Sequence, residues 1–137
     1  MRIIDANANR LKEGLRVCEE VMRFFLGNQK LTGQLKRMRH EVDSTVILLA
    51  NENLRLKARD SVKDLGRSQA ETEFLRKDIN DIFFANLSRA KESLRVLEEF
   101  SKLDKSSASI KFKQLRYTAY EIEKQATILL RPLRHSR

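Results

Sequence analysis

Residues Ala6–Glu20, ANANRLKEGLRVCEE, return as Ala85–Glu99, ANLSRAKESLRVLEE, with ten of fifteen positions identical. About one identity would arise by chance, so the chain carries an internal repeat. A second block follows each copy. LKRMRH at Leu35–His40 and FKQLRY at Phe112–Tyr117 keep Lys then Arg at the same spacing, each preceded by an apolar residue. Within the first copy, Ile4, Ala8, Leu11, Leu15, Cys18, Met22 and Phe25 recur at steps of four then three. That is the stripe two helices need to pack at a shallow angle. Phe83, Leu87, Ala90, Leu94 and Leu97 repeat it, which predicts two long helices facing each other or equivalent neighbours across a pseudo-two-fold axis.

Working outward, Gly27 and Asn28 supply a left-handed helix end, and a second helix is predicted from near Leu31 through Leu49, with Leu35, Met38, Val42, Thr45, Val46 and Leu49 inward. Ser106 or Ser107 can cap a fourth, carrying Ile110, Phe112, Leu115, Ala119, Ile122, Ala126 and Leu129 inward until Arg131 and Pro132 stop it. The fold class is therefore all-α: a helical bundle of four long helices from two repeated helix-turn-helix halves, about 1–52 and 77–137, in a single domain. Residues 53–76 between the halves have broken periodicity. So long a connection is either a functional element, anchored by Val62, Leu65 and Phe74, or a disordered tether.

The chain has 137 residues, enough for one core without disulfides. Its single cysteine, Cys18, excludes a disulfide or a Cys-based metal site within one chain and points to a reducing compartment. No stretch approaches the roughly 18 apolar residues of a membrane span, and the N-terminus lacks a signal-like apolar run, so a cytoplasmic protein without membrane association is expected. A formal charge of +9 favours anionic partners without identifying them. There is no Gly-rich phosphate loop, no H-E-x-x-H, no nucleophile elbow and no kinase catalytic loop.

Helical phase places Asn7 and Arg10, with repeat partners Asn86 and Arg89, at the edge of the apolar stripe, so they are expected to be partly buried and to need a carboxylate or a bound anion. Glu13, Arg16 and Glu20, with Glu92, Arg95 and Glu99, lie further round, where intrahelical ion pairing is the plain reading. Lys36, Arg39 and His40, repeated as Lys113, Arg116 and Tyr117, could clamp phosphate and stack a base; alternatively His40 and Tyr117 fill a helix seam with wet polar tips. Asp60 and Asp64 beside Gly66 could supply oxygens to Mg²⁺, or pair with Lys57, Arg59, Lys63 and Arg67.

Taken together, IIDANANRLKEGLRVCEEVMRF, LKRMRH, ARDSVKDLG, ANLSRAKESLRVLEEF and LRYTAYEIEK, in this order over nearly the whole chain, resemble the short hydroxymethylpyrimidine-phosphate kinase family. Members of that family stand alone or are fused ahead of thiamine-phosphate synthase, and many carry the label thiamine-phosphate pyrophosphorylase. The resemblance implies ATP-dependent phosphorylation of a hydroxymethylpyrimidine phosphate to its diphosphate in thiamine biosynthesis, with ATP and Mg²⁺ as cofactors. It further implies phosphate contacts from Arg10, Arg89, Arg39 and Arg116, Mg²⁺ at Asp60 and Asp64 with Glu13 or Glu92, and pyrimidine reading by Asn7 or Asn86, with His40, Tyr117 and Arg59 as further substrate contacts. One repeat could hold nucleotide and the other pyrimidine, with Gly14 against Ser93 and His40 against Tyr117 marking which is which. The small-molecule partners would then be the phosphorylated pyrimidine and the nucleotide, with a homodimer or a synthase fusion both open. The alternative is a non-enzymatic basic helical module for nucleic acid or an acidic protein, which predicts diffuse, salt-sensitive polyanion binding.

Overall fold

The segments whose apolar residues step by three and four fold as helices. The computed structural model describes residues 1–49, 52–67, 75–104 and 106–135, and no strand occurs among them. Helix α1 spans Arg2–Glu20 and continues as a π-helical segment, Val21–Leu26. Helices α2 (Gln29–Leu49), α3 (Glu52–Ala58), α4 (Ile79–Ser101) and α5 (Ser106–His135) follow, with a short 3-10 turn at Leu65–Arg67. No helix among the described residues is long and apolar enough to cross a membrane.

Caps of known chemistry set the boundaries. Gly27 sits at φ 64°, ψ 29°, the left-handed conformation that costs glycine nothing. Asn28 then accepts the Leu31 N–H at 2.9 Å through Oδ1 and starts α2, so two residues turn the chain by a half-revolution. Asp78 caps α4 in the same way, accepting the Asp81 N–H at 2.9 Å.

At the centre α1 packs on α4, and α2 and α5 flank them as the second helix of each repeat. The seam is closest at Gly14, where an added Cβ would stand 2.8 Å from the Asn86 carbonyl oxygen and 3.6 Å from the Ala90 Cβ. Four residues further along α1, the Cys18 thiol donates to the Phe83 carbonyl at 3.4 Å. Advancing along α1 thus retreats along α4, so the pair is antiparallel, as a two-fold relation between repeats requires. Burial pushes the Cys18 thiol up to about 12, which leaves it an inert core residue. Gly14, whose repeat counterpart is Ser93, thus admits the close approach of α4. Gly14→Ala should lower stability by about 1–3 kcal/mol, against the roughly 1 kcal/mol that alanine gains over glycine inside a helix. A urea midpoint at or above the parent's would mean that the seam opens freely to admit a methyl.

Several expectations need correction. Phe25 is 39% exposed and off the stripe, because i→i+5 hydrogen bonding in Val21–Leu26 takes an extra residue per turn and rotates later side chains outward. In α5 Ala108 and Leu130 join the expected core residues, while Ile110, about 200° round the helix from Phe112, and Leu129 are exposed. A straight helix drifts about 20° per heptad, so towards the end of α5 the stripe moves on from Leu129 to Leu130. Pro132 does not stop α5, which runs to His135; near a helix end the one hydrogen bond that proline forfeits matters less. Because α5 begins at Ser106, Ser107 lies inside it, and the side chain of 106 lies outside the described residues. Between the halves, α3 replaces part of the irregular segment. Val62 and Leu65 are 75% and 96% exposed and anchor nothing, and Phe74 lies outside the described residues.

Candidate functional site

Asp5 lies one turn into α1, only 3% exposed, and a buried carboxylate needs partners. It takes both donors of the Arg59 fork, Nε to Oδ2 at 2.8 Å and Nη2 to Oδ1 at 2.9 Å. Arg55 of α3 approaches to 4.0 Å, and Asn9 donates to Oδ1 at 3.4 Å. The Arg59 hydrogen bond, opposed by burial and helped by the charges of Arg59 and Arg55, holds the Asp5 carboxyl below the ordinary aspartate range. This bidentate pair ties residues 59–67 to α1 as a strap. Two local bonds shape the strap: Asp60 accepts the Lys63 N–H at 3.0 Å, and Asp64 accepts the Gly66 N–H at 2.8 Å.

Between strap and helix lies a cleft of about 740 Å³, within the range of small-molecule sites. Arg2, Arg10, Glu13, Asp60, Ser61 and Asp64 are among its lining, with Asn7 and Arg59 at its wall. Six residues singled out by sequence meet there: Asn7, Arg10, Glu13, Arg59, Asp60 and Asp64. Arg10 is exposed to the cleft, contrary to the expected partial burial, and makes no ion pair among the described residues. Asn7 is buried, and its amide spends one N–H on the Ile3 carbonyl at 2.9 Å, leaving its oxygen and second N–H for a ligand. Arg59 spends its fork on Asp5 and so shapes the wall.

A second, smaller cleft of about 400 Å³ lies between α4 and α5, lined by Ser88, Lys91, Glu92, Arg95, Arg116 and Tyr120. Ser88 and Glu92 are the repeat counterparts of Asn9 and Glu13. At 100° per residue, Asn9 and Glu13 lie about 100–180° round α1 from Gly14 and Cys18, which face α4. Their counterparts lie equally far round α4, so the two clefts open on opposite sides of the seam.

The remaining candidates are not brought to the first cleft. Arg89 is exposed, and Asn86 sits at the seam with its amide donating to the Ile82 carbonyl at 2.7 Å. His40 is exposed on α2. Tyr117 is 56% exposed, beneath the Arg116 guanidinium at 5.3 Å and edge-on to Tyr120. Among the described residues, no group of three or more His, Cys, Asp or Glu is placed to hold a metal ion.

Arg39 and Arg116 each pair with a buried carboxylate, and Arg116 also lines the second cleft. Arg39 donates through Nε to Glu19 at 2.8 Å, and Arg116 donates through Nη2 to Glu98 at 3.1 Å. Glu19 and Glu98 are repeat counterparts, each with a side chain 4% exposed, and Arg16 and Arg95 reach them from the solvent side. The outer pairs read from sequence are also present, Arg16 with Glu20 at 3.1 Å and Arg95 with Glu99 at 3.2 Å. Glu19 and Glu98 escaped the sequence reading although a signal existed: Glu19 is one turn from Leu15 and so borders the apolar stripe, whereas Glu20 points away.

A ThiD2 family model matches residues 2–125. The chain is 42% identical over 123 residues to a protein named thiamine-phosphate synthase from Synechocystis sp., covering 89% of this chain and 34% of that protein. Proteins of the same name from Nostoc punctiforme and Rhodopirellula baltica are 41% identical over 123 residues and 36% identical over 121. The alignments take in 89% and 88% of this chain and 34% and 32% of those two relatives, so the chain spans about a third of the length of the curated relatives it matches. No solved structure matches it.

Proposed function

The chain belongs to the ThiD2 family, and from that membership we propose that it phosphorylates a hydroxymethylpyrimidine phosphate at the expense of MgATP, giving the diphosphate for thiamine synthesis. The observation that carries this reading is the mixed charge of the first cleft, where Arg2 and Arg10 stand with Glu13, Asp60 and Asp64. A wholly basic groove would suit any polyanion. A magnesium–polyphosphate needs cations for its oxygens and one or two carboxylates for the metal, the other metal ligands coming from phosphate and water. Asp60, Asp64 and Glu13 fit that requirement better than they fit an all-protein metal cage.

In the proposed reaction an oxygen of the acceptor phosphate attacks the γ-phosphorus, the bond to the β-phosphate oxygen breaks, and ADP leaves. A phosphate monoester has a second pKa of about 6 and is already anionic at neutral pH, so no strong general base is required. Arg10 and Arg2 would offset the charge of two polyanions and hold them in line, the principal task in phosphoryl transfer. Both ligands would share the first cleft, since the second opens on the far side. The relatives' name supports a place in the thiamine pathway, and their length supports a fused arrangement with a synthase.

The test is ADP release with MgATP, offering hydroxymethylpyrimidine phosphate and the free alcohol separately. Turnover with the phosphate and little with the alcohol is expected. A folded sample that turns over neither, yet binds many polyanions in a salt-sensitive way, would replace this reading with that of a basic binding module.

A further inference from the structure

Asp5 has no role in the phosphoryl chemistry above, yet it is the most completely enclosed charged group beside the cleft. Its repeat counterpart is Phe84, so the second half has no carboxylate there. Helix α3 and the strap join the two repeats and lie against the first of them. The symmetric scaffold is therefore broken at one place. At that place a buried carboxylate takes a bidentate arginine from a segment that otherwise exposes Val62 and Leu65 and has little apolar surface to hold it down.

We propose that Asp5 is a positioning residue: by clamping Arg59 it fixes the 59–67 strap against α1, and so sets Asp60 and Asp64 opposite Arg10 and Glu13 to complete the first cleft. Two donors in one plane fix the direction of the guanidinium as well as its distance, which a single contact would not do. The clamp is anchored on the rigid α1–α4 pair, so the strap inherits that rigidity. The inference rests on the proposed function for what the cleft holds, though not for how the cleft is formed.

Two readouts separate this role from simple stabilisation of α1. Amide exchange in residues 60–66 of Asp5→Asn should quicken at least tenfold, while α4 keeps the parent's protection. Calorimetric affinity for MgADP should fall at least tenfold in Asp5→Asn and in Arg59→Ala. The double variant should be no worse than either single one, because both remove the same clamp. Arg59→Lys, which keeps the charge and loses the fork, should recover only part of the affinity. Unchanged strap exchange in a folded Asp5→Asn protein, or losses that add in the double variant, would overturn the proposal. If the strap loosens as expected but the parent protein turns over no pyrimidine phosphate, the clamp stands and the kinase reading falls.

Discussion

Arg10→Ala should lower kcat/KM for the pyrimidine phosphate by about 100- to 1,000-fold, the range found when a donor aimed at developing charge is removed. Arg89→Ala should change it less than about threefold. The two arginines hold equivalent repeat positions, each three residues after the repeated Asn. The structure separates them, because Arg10 lines the first cleft beside the strap, whereas Arg89 lines neither cleft. Arg10 is exposed and unpaired among the described residues, so its truncation should leave thermal stability nearly unchanged and assign the loss to the site. Steady-state kinetics on the two variants, with circular dichroism to check folding, decides the matter. Equal losses in both would mean a site assembled from both repeats, by a second copy of the chain or another route, and would sink the one-cleft account.

Much of the scaffold was legible because it depends on periodicity alone. Leu11, Leu15, Cys18, Leu87, Leu94 and Leu97 were read as core from their spacing, and all are fully buried. Gly27 was read as a left-handed cap and is one. Two departures share a cause, a change of helical phase that a fixed period does not follow. The π-helical turn displaces Phe25, and accumulated drift over α5 exchanges Leu129 for Leu130. Neither is encoded in a local pattern of apolar residues.

The candidate site was legible in its members and not in its partition. Asn7, Arg10, Glu13, Arg59, Asp60 and Asp64 were all named from sequence and do meet. Nothing in the sequence said that residues from the middle segment would join the first repeat. That outcome depends on Asp5 and Arg59, 54 residues apart. Charge alone was also misleading. Arg39 and Arg116 look like free cations until their partners Glu19 and Glu98 are located, although Arg116 keeps a buried Nε without a partner among the described residues and lines the second cleft.

Those two pairs give the second large expectation. Glu98→Ala should destabilise the protein by about 2–4 kcal/mol and lower Tm by roughly 6–15 °C, because removing one partner of a buried pair leaves the other charge without compensation. The lower part of the usual range applies, since Arg116 retains 13% exposure and a hydrogen bond to the Tyr120 hydroxyl at 3.0 Å. The site also closes the α4–α5 hairpin. The Glu98 carbonyl accepts the Ser109 hydroxyl at 2.9 Å, so the backbone and the side chain of one residue both tie the two helices together. Glu98→Gln keeps the volume and one acceptor and should lose about half as much. Glu19→Ala should behave like Glu98→Ala, through Arg39, whereas Glu99→Ala on the exposed face should leave Tm unchanged. Thermal melts of the four variants separate the explanations. Comparable losses at Glu19 and Glu98 with none at Glu99 would establish the buried pairs as the duplicated lock of the bundle. A Glu98→Ala protein as stable as its parent would instead return Arg116 to the pool of cations free to bind a ligand.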